Sequence, residues 1–96
     1  MSLSPKDPSE IVTLSFDFAA LTATPSNPLC TLSVINGPDP DVATMKIGAA
    51  TLSGTKALQQ IGAGVDGKDY TVRWEVDAPD GDHFVEAQKL MVRIAK

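Results

Sequence analysis

Apolar residues alternate with polar ones along most of this chain, and the alternation has a period of two. From Ile11 the positions Val12, Leu14, Phe16 and Phe18 are apolar while Thr13, Ser15 and Asp17 are polar. Successive side chains of a strand point to opposite faces, so this pattern predicts a half-buried β-strand. The pattern returns at Leu29 to Ile35, with Cys30, Leu32 and Val34 on one face and Thr31 and Ser33 on the other. It is clearest in Tyr70 to Asp77, where Tyr70, Val72, Trp74 and Val76 are separated by Thr71, Arg73 and Glu75.

Weaker segments lie between these. Ala43 to Ala49 carries Met45 and Ile47 in phase and reads as a short strand, closed by "LSGT". Lys56 to Gly62, "KALQQIG", tolerates helix, but its glycine pair arrives too soon for more than about two helical turns, and it is assigned as a strand. The last segment, His83 to Ala95, has apolar residues at Phe84, Val85 and Ala87 and then at Leu90, Val92 and Ile94, so its parity switches near Gln88. One extra residue there, a β-bulge, would restore the inward phase.

Breakers separate these runs: "TATPSNP" from Thr22, "NGPDPD" from Asn36, "GVDGKD" from Gly64 and "APDGDH" from Ala78. About seven short strands spaced by turn clusters is the signature of a sandwich or barrel, and a two-sheet sandwich fits best. The expected fold is therefore an all-β, immunoglobulin-like antiparallel β-sandwich over residues 11–96, preceded by a polar N-terminal arm, residues 1–10. Trp74 falls in the middle of an inward face, while Arg73 and Glu75 face water. Tyr70, just after a turn at the start of the penultimate strand, holds the place of a tyrosine corner, its hydroxyl tied to backbone near Val65 to Gly67.

Composition narrows the function classes. Ninety-six residues are enough for one core. The net charge of −4 and the scattered basic residues argue against a phosphate-backbone footprint, so nucleic acid is not an expected partner. Lys89, Arg93 and Lys96, the densest basic group, read as one solvated strand face. "MSLSPKDPSE" has no apolar core of a signal peptide and no run approaches a membrane span, so no membrane partner is expected. Cys30 is the only cysteine, in phase with Leu32 and Val34, and reads as a small buried hydrophobe. The lack of an intrachain disulfide suits a reducing cytosol.

Catalysis needs groups that converge. His83 is the single histidine, and a serine relay drawn through it and Asp82 has no nucleophile elbow to support it. Two acidic groups are candidates for calcium: Asp39 with Asp41, and Asp77 with Asp80 and Asp82. Neither matches a calcium loop, and Asp-Pro and Asp-Gly steps serve turns for backbone reasons alone. The aromatic residues other than Phe84 fall on inward faces, which leaves no stacking platform. No catalytic, cofactor-binding or metal-binding residue is assigned, and no cofactor or enzymatic activity is expected.

Two stretches together resemble a family of small phage and prophage proteins. "KDPSEIVTLSFDFAALTA" matches an opening Lys-Asp-Pro-x-Glu segment and a strand ending in Asp-aromatic, here Lys6, Asp7, Pro8, Glu10, Asp17 and Phe18. "GKDYTVRWEVDAPDGDHFVEAQKLMVRI" is similar to the family's close, here Tyr70, Val72, Gly81, Val92, Arg93 and Ile94. The likeness covers roughly half of the chain. It departs at Phe18, where the family often has Trp, and at "IGAGVDGKD", where a Gly-rich linker is usual. The resemblance implies an immunoglobulin-like virion structural protein of the tail or fibre adaptor kind, assembled in the bacterial host cytoplasm. It implies other phage structural proteins as partners and is compatible with a homo-oligomer. A cellular immunoglobulin-like binding or adhesion module is the alternative reading.

Overall fold

The computed structural model describes residues 6–35, 37–39 and 42–94. Among these residues six strands run in the order β1 (Val12–Asp17), β2 (Ser26–Val34), β3 (Lys46–Ser53), β4 (Lys56–Ile61), β5 (Asp69–Asp77) and β6 (His83–Met91), with one 3-10 turn, Val42–Met45, ahead of β3. They form two antiparallel sheets, β1-β4-β3 and β2-β5-β6. This is the pairing of strands B-E-D and C-F-G in an immunoglobulin sandwich, and the expected all-β, immunoglobulin-like architecture is what the chain adopts.

The central strand β5 supplies the heart of the core. Tyr70, Val72, Trp74 and Val76 are each fully buried, because a middle strand has a neighbour on both sides and a sheet over its inward face. Across the sandwich they share a cluster with Phe18, Ala57 and Ile61, and Met45 and Val92 join the same core. Cys30 and Leu32 of β2 complete the inner layer, with Cys30 directly opposite Trp74.

The final strand differs from its sequence expectation in an instructive way. β6 pairs with β5 in one unbroken register from Asp77↔His83 to Asp69↔Met91. There is no bulge. The inward positions are Phe84, Glu86, Gln88, Leu90 and Val92, and it is Val85 and Ala87 that face outward. The parity switch in the sequence is instead a buried polar residue on the core face: Gln88 is buried and its Oε1 accepts a 2.8 Å hydrogen bond from the Trp74 indole Nε1–H. A buried indole needs such a partner.

Smaller differences have comparable causes. The run expected from Ala43 to Ala49 splits into the 3-10 turn and β3, which continues through Thr51 and Leu52 to Ser53. Ile47, expected inward with Met45, is exposed, because the β3–β4 register shifts between Ile47 and Thr51 around Gly48 at φ 74°. In β4, Ala57, Gln59 and Ile61 point inward, while Leu58 takes the other face. Buried Gln59 is paired to the irregularity: its Nε2 donates to the carbonyls of Ile47 and Gly48, at 3.3 and 3.1 Å. β2 begins at Ser26, earlier than expected, and is bent by a register shift before Leu29 where Asn27 sits at φ 51°.

Tyr70 forms the expected corner and adds one contact. The Val65 N–H donates to its hydroxyl at 3.1 Å, and the hydroxyl donates to Asp39 Oδ2 at 2.6 Å. Burial and the Asp39 carboxylate both push the phenol above its ordinary pKa, so it stays a donor.

Lys6 lies against the far end of β6. Its N–H donates to the Met91 carbonyl at 2.9 Å and its own carbonyl accepts from the Arg93 N–H at 2.8 Å, a parallel bridge to Val92. The side chain is buried, with Nζ donating to the Ala63 and Asp7 carbonyls at 2.6 and 2.8 Å. Desolvation lowers the ammonium pKa, and Glu10 and Asp7 oppose that shift. Residues 1–5 of the polar arm lie outside the described residues.

Two substitutions test this core. Trp74→Ala removes a fully buried indole and should cost about 3–5 kcal/mol in urea unfolding. Gln88→Leu keeps the volume but leaves the indole N–H without its acceptor, and should cost about 1–3 kcal/mol; a neutral result would show that the indole finds another partner.

Candidate interaction surface

The surface is built from the outward residues of the two sheets and the turns between strands. On the β2-β5-β6 sheet the register sets Leu29, Glu75 and Val85 in one row, Thr31, Arg73 and Ala87 in the next, and Ser33, Thr71 and Lys89 beyond them. Leu29 and Val85 are both exposed. Arg73 is exposed as expected, whereas Glu75 is only 17% exposed. Its neighbours explain this: Arg73 lies 3.9 Å away and His83 Nε2 lies 3.0 Å from the same carboxylate oxygen.

His83 is held at the mouth of the β5–β6 hairpin by two carboxylates. Its Nδ1 is 2.6 Å from Asp77 Oδ1 while Nε2 meets Glu75. A neutral imidazole donates from one nitrogen only, so both contacts are good only in the imidazolium form. The Asp77 hydrogen bond, then the Glu75 one, raise the histidine pKa above its ordinary 6.5. Asp77 moves the other way, lowered by the His83 bond and then by the 3.1 Å bond from Asn27 Nδ2.

Two of the basic residues expected on one solvated face, Lys89 and Arg93, are substantially exposed and converge on one carboxylate. Arg93 donates to Asp69 Oδ1 at 2.8 Å, and Lys89 Nζ lies 3.5 Å from Asp69 Oδ2. Arg93 also donates to the carbonyls of Lys68 and Val92, tying the strand end to the turn before β5. The Arg93 bond is the main reason the Asp69 carboxyl lies below its usual range. Lys96 lies outside the described residues.

The described aspartates of the two acidic groups have other partners. Asp39 accepts from Tyr70, Asp77 is engaged by His83 and Asn27, and Asp80 Oδ1 accepts from the Asp82 N–H at 3.2 Å in a tight turn. Asp41 lies outside the described residues. Among the described residues no three of His, Cys, Asp and Glu are grouped to hold a metal, and no helix is long and apolar enough to cross a membrane. Cys30 is buried, and desolvation pushes its thiol up to about 11, so it remains a neutral thiol at ordinary pH.

A groove lies at one end of the sandwich, lined by Leu21, Thr22, Ala78, Pro79, Asp80, Asp82 and Phe84. It is shallow and open, with apolar walls and two carboxylates at the rim. Comparison of the chain with protein families, curated proteins and solved structures finds no match. The paired positions of Glu75 with His83 and Asp69 with Arg93 were missed in the sequence because they depend on strand register. The Asp77–His83 pair, six residues apart across a hairpin, carried a readable signal.

The histidine clamp sets a pH dependence. A raised folded-state pKa means that its stabilisation is fully present below the unfolded histidine value, 6.5, and is lost as pH rises through the folded value. The depressed carboxyl of Asp77, ordinarily 3.8, contributes above that value and is lost as pH falls through its folded value. The melting temperature should therefore fall on the alkaline side from about pH 6.5, and His83→Gln should flatten that limb in a melting series. An unchanged alkaline limb in the variant would assign it elsewhere.

Proposed function

We propose that this chain is a non-enzymatic virion structural protein of a phage or prophage, a tail or head-tail adaptor that works through protein–protein contacts. The observation that carries the reading is where its two family-like stretches lie. They are far apart in sequence and are joined in space, Lys6 to Met91 and Arg93 by backbone hydrogen bonds. The likeness therefore falls on one connected unit of the sandwich rather than on two unrelated strands. Several of its residues hold structural posts: Asp17 accepts from the Thr55 hydroxyl at 2.6 Å and from the Ala19 N–H, Phe18 is fully buried, and Tyr70 forms the corner.

The character of the surface supports work by contact. Several of its charged side chains are engaged with one another, Asp77 with His83 and Asp69 with Arg93, and exposed apolar residues such as Leu29 and Val85 lie on a sheet face. Rings of repeated subunits bind through many weak contacts, which raises avidity without strong pairwise affinity.

The test is mass spectrometry of particles purified after prophage induction in the source cell. This chain should co-purify at a fixed ratio well below that of the major capsid protein. Its absence from particles, with recovery in host complexes instead, would overturn the virion reading in favour of a cellular binding module.

A further inference from the structure

A sheet edge left unprotected is a template for another strand, and among the described residues this sandwich has four edges, β1, β3, β2 and β6. Three of them are blunted. β2 is broken by the register shift at Asn27 and Pro28, and its Cys30 carbonyl accepts from Lys46 Nζ at 2.8 Å. β3 carries the irregularity at Gly48, with Gln59 on its freed carbonyls. β6 has Lys6 docked beside its last residues.

Among the described residues β1 has none of these devices. Its six residues, Val-Thr-Leu-Ser-Phe-Asp, contain neither proline nor lysine, and its register with β4 is unbroken from Val12↔Ile61 to Asp17↔Lys56. The Phe18 N–H donates to the Thr55 carbonyl, in step with that register. Because antiparallel ladders alternate, the even positions of β1 bond to β4. The N–H and C=O of Thr13, Ser15 and Asp17 face the free edge. On the inward side Val12, Leu14 and Phe16 are only partly buried, so the apolar layer is still incompletely covered there.

We propose that the β1 edge pairs antiparallel with the β1 edge of a second copy of this chain, about a two-fold axis at Ser15. The strand is self-complementary in that register. Ser15 meets Ser15, and Thr13 lies opposite Asp17, hydroxyl to carboxylate on the outer face. Leu14 lies opposite Phe16 on the inner face, an aliphatic–aromatic cross-strand pair that covers the apolar surface each copy leaves open. No like charges oppose one another within the strand. The result is one six-stranded sheet, β3-β4-β1-β1-β4-β3, with an isologous interface. One strand pair buries little area, so the association is weak and concentration-dependent in solution. This inference stands independently of the virion reading.

Cysteine cross-linking tests the register. Opposed Ser15 residues place their Cα atoms about 5.5 Å apart, within disulfide range, whereas two Thr13 residues are offset by four positions, roughly 13 Å. Under mild oxidation the native Ser15→Cys chain should cross-link at least about tenfold faster than Thr13→Cys, because pairing raises the local concentration at one position only. Buried Cys30 does not compete. Equal rates for the two variants would overturn the proposal. Sedimentation of the wild-type chain gives a second readout. Its sedimentation coefficient should rise with concentration, and a single monomer value at all concentrations would overturn self-pairing. Ser15→Pro removes an N–H that faces the edge and leaves the β4 ladder intact, so it should abolish the rise; a folded variant that still associates would also overturn it. If Ser15→Pro fails to fold, the cross-linking ratio still decides.

Discussion

The hydrogen bond between the Trp74 indole and Gln88 is the constraint around which this sandwich is arranged. A tryptophan with no exposed surface at the centre of a 96-residue chain contributes much of the available apolar burial. It also brings one N–H that water can no longer reach. Gln88 on the neighbouring strand supplies the acceptor, and that placement fixes the face of every other residue of β6. Leu90 and Val92 go inward with it, and Val85 and Ala87 go out. A polar residue on the core face thus creates an apolar patch on the solvent face.

The same trade recurs at smaller scale. Buried Gln59 settles the carbonyls freed by the irregularity in β3, and buried Lys6 settles the Ala63 carbonyl, where the backbone takes a positive φ of 54°. In each case a long polar side chain enters the interior to satisfy backbone that regular pairing leaves open. Unpaired buried backbone groups are costly enough to make such side chains worthwhile.

Much of the fold was legible where alternation was strict. β1, β2 and β5 declared both their faces, and Tyr70 declared its corner and its upstream partner. The features that were hidden share one physical origin. Gln88, Gln59 and Lys6 belong to residue types that normally face water, so a pattern based on hydropathy assigned them outward or introduced a bulge to avoid them. Their burial is explained by specific hydrogen bonds, which depend on register and are not visible along one strand. The surface pairs around Glu75 and Asp69 were hidden for the same reason. The turn chemistry of the aspartates was readable, because Asp-Gly steps and Asx turns are local.

The parallel bridge between Lys6 and Val92 also sets how the domain carries load. Tension applied through the chain on either side of these two segments pulls them past each other along their common axis. The Lys6–Met91 and Arg93–Lys6 backbone bonds, with the Lys6 ammonium anchored on Ala63, then bear the force together in shear. An antiparallel hairpin pulled from its open end would instead release its bonds one at a time. Rupture under force is governed by the barrier to unfolding rather than by equilibrium stability. The small clip at this end of the sandwich therefore gives it a mechanical role out of proportion to its size.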